Sequence, residues 1–594
     1  MIDEYGVQSS WLDSDDQPQH ATDETVRRVR ELAGRPPADL ADTGPVVTRP
    51  GRATGLRGEV TCEDGSRFTL DDVVPDDAPL GYHALTTAAG TTRRLVVSPG
   101  RCFVPERQSW GWAVQLYAAL SSGSAGIGDL ADLRTLREWT EAAGGGFLVV
   151  NPLHAVAPVT PVESSPYLPA TRRFRNPLYL RVDGAAPHRP DVIDRDAVWA
   201  EKLGLLRRRF DAEASRPDAA FTAWRAEQGE ALERFATWSV LCEEHGGDWR
   251  AWPEALRDPA SSAVAEAVAT RQDDVAFHAW LQWLLAEQLR EATGDLTVIQ
   301  DLPIGVSGGG ADAWARQDVL AIGATVGAPP DALNTVGQDW SSPPFVPWRL
   351  QAADYEPFVQ SVRATIAGAG GLRIDHVMGL FRLWWIPEGS AATDGCYVRY
   401  PSDDLLDIVC LESHRAGAVV VGEDLGTVED GVREALAERG ILGYRVLWFE
   451  DDEPETWPAG SLAAVTTHDL PTVPGLVTGS DVDDVLAASD MTPDDVRAGR
   501  ASMLEQLARA GATPADGVDA AVAKVYARLG GAPSLLLALA IEDALGQERR
   551  PNVPGTDHTQ RDNWSLPLPV PVDRLEEAPG PAAVVAAVTA HRQG

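Results

Sequence analysis

Lysine is almost absent from this chain: Lys202 and Lys524 stand alone among 51 basic residues, the rest being arginine, against 88 acidic ones. The resulting formal charge of −37 excludes the positive footprint that nucleic-acid binding needs, and an anionic membrane surface would repel it. Cysteine is scarce as well. Cys62, Cys102, Cys242, Cys396 and Cys410 are odd in number and form no CxxC pair. That argues against a disulfide framework or a zinc site and fits buried thiols in a reducing compartment. No uninterrupted apolar run of about 18 residues occurs, so no transmembrane helix is expected. The opening Met-Ile-Asp-Glu-Tyr is acidic and lacks the apolar stretch of a secretory signal, which makes the cytoplasm the expected location. Neither GxGxxG nor GxxxxGK[ST] is found, which removes two common nucleotide cradles.

What is present begins with size. At 594 residues the chain exceeds one ordinary domain of roughly 100–200 residues, and 44% hydrophobic residues supply a sizeable core. Nineteen Trp against twelve Phe and ten Tyr is a tilt that suits sugar stacking, although indoles are equally ordinary packing material. Residues 1–36 are polar with one helical candidate, Glu24–Ala33. Residues 45–100 alternate in short runs such as Thr69–Val73 and Arg93–Val97, broken by Gly, Pro and Asp, and read as an independent β-rich module within an N-terminal region of residues 1–100.

From residue 105 to 594 the texture changes to short apolar runs between helical stretches. Candidate strands are Ala113–Leu116, Phe147–Asn151, Thr297–Asp301, Leu372–Asp375, Ala418–Glu423, Arg445–Phe449, Ala463–Thr467 and Leu535–Ala540. Eight strands alternating with helices predict an α/β fold, a (β/α)8 barrel, with an open doubly wound sheet as the structural alternative. Residues 190–292 are helix-rich and carry Trp199, Trp224, Trp238, Trp249 and Trp252; they read as an insertion between the second and third strands. Residues 480–530 form a second helical insertion before the last strand.

Three segments share one form, an apolar strand ending on acidic or polar residues: Gly-Leu-Arg-Ile-Asp-His (371–376), Val-Val-Val-Gly-Glu-Asp-Leu-Gly (419–426) and Ala-Val-Thr-Thr-His-Asp (464–469). In a barrel, such strand ends face the active-site mouth. Several carboxylates in one pocket suit glycoside cleavage, where one must be ionised at the anomeric carbon and another must hold a proton for the leaving oxygen. For any one Asp after a strand, capping a turn is the ordinary reading.

These segments resemble the conserved regions of the amylomaltases, the 4-α-glucanotransferases of the α-amylase clan. Arg-Ile-Asp-His-Val-Met-Gly-Leu-Phe-Arg-Leu-Trp-Trp-Ile-Pro (373–387) is similar to the family's nucleophile region, Gly-Glu-Asp-Leu-Gly (422–426) to its acid/base region, and Thr-Thr-His-Asp-Leu-Pro-Thr (466–472) to its third carboxylate region. Gly-Ile-Gly-Asp-Leu (126–130), Asn-Pro-Leu-His (151–154), Ser-Pro-Tyr (165–167), Asn-Pro-Leu-Tyr (176–179), Asp-Leu-Pro-Ile-Gly-Val (301–306), Gly-Ala-Pro-Pro-Asp (327–331), Gly-Gln-Asp-Trp (337–340) and Asn-Val-Pro-Gly-Thr (552–556) follow in order. The family often has Gly-Asp where this chain has Gln300-Asp301, and a Gly where Ser341 follows Trp340.

Carried onto these positions, the resemblance implies Asp375 as nucleophile, Glu423 as general acid/base and Asp469 as transition-state stabiliser. Arg373 would keep Asp375 ionised, or serve only as a structural ion pair. His376 and His468 would hydrogen-bond sugar hydroxyls, and Tyr167 would stack on a sugar ring. Asp301 would sit near the mouth, and Gln338 and Trp340 would lie in the loop shielding the acceptor sites. The implied substrates are maltodextrins and other α-1,4-glucans with glucose as acceptor, and no cofactor or metal is needed. A run Ala418–Val421 buried on both faces, together with the nearby carboxylates of Asp375 and Asp469, is expected to raise the pKa of Glu423. Trp110 and Trp112, beside the first strand, suit either barrel packing or a sugar platform. A hydrolase of the same clan and a non-catalytic glucan-binding protein are the competing readings.

Overall fold

Strands that are apolar at every position need cover on both faces, which a barrel ringed by helices provides. The computed structural model describes residues 2–13, 17–213, 218–330, 337–488, 491–556 and 559–590; Asp331, the last residue of the 327–331 motif, lies outside the described residues. Eight parallel strands carry the fold: β1 (Ser109–Val114), β2 (Phe147–Val150), β3 (Thr297–Leu302), β4 (Gly371–Ile374), β5 (Val419–Gly422), β6 (Gly443–Val446), β7 (Ser461–Ala464) and β8 (Leu536–Ala540). Every residue of β4, β5, β7 and β8 is buried.

The sheet runs in the order β5-β4-β3-β2-β1-β8-β7-β6, so each strand lies beside its neighbour in sequence. The circuit closes where Val421 on β5 bridges in parallel to Leu442, just before β6. There the Gly422 N–H donates to the Leu442 carbonyl at 2.8 Å and the Leu442 N–H to the Val420 carbonyl at 2.9 Å. That closure decides between the two architectures: an open sheet reverses strand order and leaves two edges, whereas this one is a (β/α)8 barrel. Gly111 shows how tightly the strands meet. It is level with Phe147 on β2, and a Cβ there would come within 2.1 Å of the Phe147 carbonyl oxygen, so only glycine fits.

Strand ends differ from the apolar runs in the sequence. β1 starts at Ser109, four residues before the expected Ala113, because Trp110-Gly111-Trp112 pair with β2 and β8, while Leu116 enters a 3-10 turn, Leu116–Ala118. β7 stops at Ala464 although Val465 is fully buried, and β6 stops at Val446 with Phe449 exposed. Apolar composition continues past the last ladder hydrogen bond in these cases.

The chain divides into two compact units. One comprises Met1–Val104, Leu302–Gly308 and Ala315–Gly443. It holds β4 and β5, the helices Glu356–Ile366 and Ser402–Ala416, and an antiparallel sheet of Val7–Gln8, Cys396–Arg399, Arg382–Pro387, Ala324–Ala328 and Gln338–Ser342. Its N-terminal part forms a five-stranded sheet of Val46–Thr48, Thr92–Val97, Gly81–Thr87, Ala53–Thr61 and Arg67–Val73. A small core of Val60, Leu70, Leu85, Leu95 and Val97 fills one face.

This region is hydrogen-bonded to the Ser402–Ala416 helix. Arg49 donates to both oxygens of Asp407 (2.8 and 2.6 Å), the Ser98 hydroxyl donates to the Asp407 carbonyl at 2.7 Å, and the Tyr82 hydroxyl donates to Glu412 at 2.7 Å. Asp407 and Glu412 belong to the Ser402–Ala416 helix and are buried; Asp407 also accepts from Arg439 at 3.0 Å and Glu412 from Arg363 at 2.9 and 2.8 Å, so the N-terminal region adds further donors to charges that are already paired.

The second unit comprises Pro105–Asp301, Gly309–Trp314 and Tyr444–Gly594. Between β2 and β3 it carries the helices Arg195–Glu213, Ala219–His245 and Gln272–Thr293, and between β7 and β8 the helices Ser480–Ala488, Pro493–Arg509 and Val518–Leu529. Trp199, Trp238, Trp249 and Trp252 are at most 7% exposed, which makes them core rather than sugar platforms. The same holds for Trp112, fully buried and stacked on Trp139 with ring centroids 5.3 Å apart, and for Trp110. All five cysteines are free and buried. No helix among the described residues is long and apolar enough to cross a membrane.

Candidate active site

In the first unit, β4 ends at Ile374 and the chain turns at once. Arg373, 8% exposed, reaches past the strand end, and its Nη1 donates to Oδ1 of Asp375 at 3.0 Å. The Asp375 N–H donates to the Leu302 carbonyl at 3.1 Å. His376 has a left-handed backbone, φ 47°. Its N–H donates to Oε2 of Glu423 at 2.9 Å.

Glu423 follows β5 directly and is 9% exposed. Its Oε1 accepts from the Leu425 N–H at 2.8 Å, so both oxygens have a backbone donor. Its pKa is raised above the ordinary carboxylate value. Burial is the largest cause and the charge of Asp424 adds to it, while the field of Arg373 and the two N–H donors oppose the rise. The like charge is thus the adjacent Asp424, which the sequence reading overlooked, and Arg373 acts on Glu423 as well as on Asp375.

His376 is pushed down to about 4 by burial, with the charge of Arg382 adding to it, so it is a neutral imidazole at neutral pH. Its ring meets the half-buried Trp340 edge-on at 5.2 Å. The Trp340 indole N–H donates to Gln338 Oε1 at 3.0 Å. Next to it, Ser341 holds φ 57°, which is the physical reason a glycine suits that position.

In the second unit, Tyr167, Asp301, His468 and Asp469 come together. The Tyr167 hydroxyl donates to Asp301 Oδ2 at 2.7 Å and lies 3.4 Å from His468 Nδ1. His468 Nε2 lies 3.4 Å from Asp469 Oδ2. Asp469 Oδ1 accepts from the Asn552 amide at 2.7 Å, and its backbone carbonyl from Arg550 at 2.9 Å. Asp469 has the most open side chain of the group, at 40%, against 13% for His468. The Trp564 ring packs against both Tyr167 (5.3 Å) and His468 (5.2 Å). Among the described residues no group of three or more His, Cys, Asp or Glu is placed to hold a metal ion.

A family model described as 4-alpha-glucanotransferase matches residues 114–572. The chain belongs to the 4-α-glucanotransferase family, the amylomaltases. A curated 4-alpha-glucanotransferase of Mycobacterium tuberculosis is 45% identical over 563 residues, covering 84% of this chain and 77% of that protein. One from Haemophilus influenzae is 35% identical over 453 residues, 66% of this chain and 65% of that protein. Among solved structures, the amylomaltase from Corynebacterium glutamicum superposes with a TM-score of 0.86 at 29% identity, covering 98% of both chains. That from Streptococcus agalactiae shares the fold, with a TM-score of 0.69 at 17% identity over 82% of this chain and all of that one. The chain is accordingly a 4-α-glucanotransferase, a glycosyltransferase-type enzyme acting on α-1,4-glucans.

Several residues around Asp469 and His468 in the second unit escaped sequence reasoning. Asn552 opens the quoted motif 552–556, yet an Asn before Val-Pro-Gly reads as a turn residue. Arg550 and Trp564 lie in a loop without periodicity. Glu542, two residues past β8, is 7% exposed and pushed up to about 7, chiefly by burial; His468 is among the charges acting on it. A carboxylate directly after an apolar strand was the signal available for Glu542, the same one that picked out Glu423.

Proposed function

We propose that this chain moves α-1,4-glucan segments between maltodextrins, with glucose as a competent acceptor, by a retaining double displacement. The observation that carries the reading is the division between the two strand-end carboxyls of β4 and β5. Asp375 receives a charge-assisted hydrogen bond from Arg373, the environment of an ionised nucleophile. Glu423 is buried with a raised pKa, the environment of a proton donor.

In the first step a carboxylate oxygen of Asp375 bonds to the anomeric carbon as the glycosidic bond breaks, and the Glu423 proton goes to the departing 4-oxygen. In the second, Glu423 takes the proton of an incoming 4-hydroxyl, that oxygen bonds to the anomeric carbon, and the ester to Asp375 breaks. Asp469, held by Asn552 and His468, is assigned to the hydroxyls beside the reacting bond. His468, Tyr167 and Asp301 are assigned to the sugar that this carboxylate serves. Neutral His376 is suited to accept or donate one hydrogen bond.

Transfer prevails over hydrolysis when the acceptor site favours sugar over water, and the strand Gln338–Ser342 with Trp340 is our candidate for that role. The five free, buried thiols support a reducing compartment, and we place the enzyme in the cytoplasm. The N-terminal region, residues 1–100, is assigned to stability or long-glucan binding, and the chemistry to residues 105–594.

Incubation with maltotriose tests the reading. A ladder of longer glucans with glucose is expected; maltose and glucose without a ladder would mean hydrolysis, and no turnover would leave only glucan binding.

A further inference from the structure

Arg195 opens the first helix of the 190–292 insertion, and it is 8% exposed. No carboxylate hydrogen-bonds it among the described residues. Its Nη1 donates to the Ser565 hydroxyl at 2.9 Å, its Nη2 donates to the Trp564 carbonyl, and its guanidinium lies over the Tyr117 ring, 5.1 Å from the centroid. A buried cation served by neutral oxygens and a ring is a costly arrangement. It sits where a second costly feature is found. Trp564 holds φ 59°, a left-handed conformation that is an outlier for a bulky residue and survives only where the surroundings enforce it.

Those surroundings are explicit. The Trp564 N–H donates to the Pro551 carbonyl at 2.9 Å, and the Ile193 N–H donates to the Ser565 carbonyl at 2.8 Å, so residues 193–195 grip the chain on both sides of the Trp564–Ser565 peptide. Arg561 secures the preceding residue through the Asn563 side chain at 2.8 Å. The indole, 6% exposed, is wedged against Tyr167 and His468 at 5.3 and 5.2 Å.

We propose that Arg195 and Trp564 are a positioning pair for the known reaction: Arg195 holds Trp564 in its left-handed conformation, and the indole thereby fixes the Tyr167 and His468 rings at the sugar. The insertion that bears Arg195 thus supports catalysis from outside the reacting atoms. This rests on the assignment of Tyr167 and His468 to sugar binding, and the test separates the two.

Steady-state maltotriose disproportionation and melting midpoints are measured for Tyr167→Ala, His468→Asn, Trp564→Gly, Trp564→Phe, Arg195→Met and the double variant Arg195→Met/Trp564→Gly. Glycine adopts the positive φ without strain and so deletes only the ring. Trp564→Gly is expected to lower kcat about tenfold or more with KM within about threefold, Trp564→Phe to recover most of the loss, and the double variant to be no worse than Trp564→Gly, since both changes break one contact. Wild-type kcat in Tyr167→Ala and His468→Asn would overturn the sugar-binding assignment and the pair with it. Loss in those two variants with kcat of Trp564→Gly within about twofold of wild type, or with losses that multiply in the double variant, would overturn the pair alone. If Trp564→Gly does not fold, Arg195→Met decides: a fall in kcat at an unchanged melting midpoint upholds the pair, and a lowered midpoint at unchanged kcat refutes it.

Discussion

Replacing Glu423 by glutamine separates its two duties. The carboxylate accepts one backbone N–H on each oxygen, from His376 and Leu425. An amide keeps one acceptor and presents an N–H₂ to the other donor, so one buried N–H loses its partner at a cost of about 1–3 kcal/mol. A modest drop in unfolding free energy is therefore expected, with the fold retained. The chemistry should suffer more. Loss of a positioned proton donor costs about 10²–10⁴-fold, and maltotriose cleavage should fall by that range.

An α-glucosyl fluoride needs little acid help to leave, so fluoride release, followed with an ion-selective electrode, should show a first burst near the wild-type rate. The covalent glucosyl-enzyme should then persist and appear in the intact mass, because no base activates the acceptor. The pH dependence follows from the raised pKa. The proposed mechanism uses protonated Glu423 to cleave natural glucans, so kcat/KM is expected to decline as pH rises through its value, above the ordinary 4.5, and Glu423→Gln to abolish that limb. Should Glu423→Gln slow fluoride release as severely as maltotriose cleavage, the proton donor is another group.

Asp375→Asn should keep the fold and maltotriose binding but lose transfer by several orders of magnitude, since an amide forms no glycosyl ester; a residual rate above about a tenth of wild type refutes the nucleophile. Glu542 bears on stability: its pKa of about 7 lies above the unfolded carboxylate value, so the native state binds the proton more tightly. Stability then falls as pH rises from about 4.5 to 7, and Glu542→Gln should flatten that slope and gain up to roughly 3 kcal/mol at pH 8, read from denaturant unfolding at pH 4 and 8. A variant whose disadvantage is the same at both values shows that the carboxyl is not destabilised by ionisation. Ser341→Gly should raise unfolding free energy by about 0.5–1 kcal/mol, because glycine removes the left-handed strain at φ 57° at some entropic cost; destabilisation would mean that the serine side chain is needed.

The eight strands were legible as short, mainly apolar runs between helical stretches, and parallel strands under helices need that composition. Their ends were not, since Val465 and Leu116 stay buried after the ladder has stopped. Asp375, Glu423 and Arg373 stood out for the same reason as the strands: a charge abutting an apolar run has few places to be. Asn552 and Trp564 gave no such contrast. Their contacts are with partners more than eighty residues away in sequence, Asp469 for one and Tyr167 and Arg195 for the other, and local pattern carries no trace of those. Residues 45–100 show the same limit. Alternating strands reveal a sheet, but not that Arg49 and Tyr82 donate to the buried Asp407 and Glu412.

In the proposed mechanism Arg373 lets two adjacent strand ends take opposite protonation duties. One guanidinium attracts both carboxyls, but it hydrogen-bonds Asp375 at 3.0 Å and acts on Glu423 through its field. At Asp375 the hydrogen bond adds to the attraction of the charge, and both favour the ionised form. Burial then decides the other partner: the Asp375 side chain is 23% exposed, whereas Glu423 is 9% exposed beside the carboxylate of Asp424. Desolvation and repulsion together outweigh the field of the cation and the two N–H donors, so the Glu423 pKa lies above the ordinary carboxylate value. Exchanging Arg373 for lysine would keep the charge but not the reach of Nη1, so the nucleophile would lose its hydrogen bond while Glu423 kept most of its field. Transfer should then fall chiefly in the step that forms the ester, and added base strength in the acceptor should not restore it.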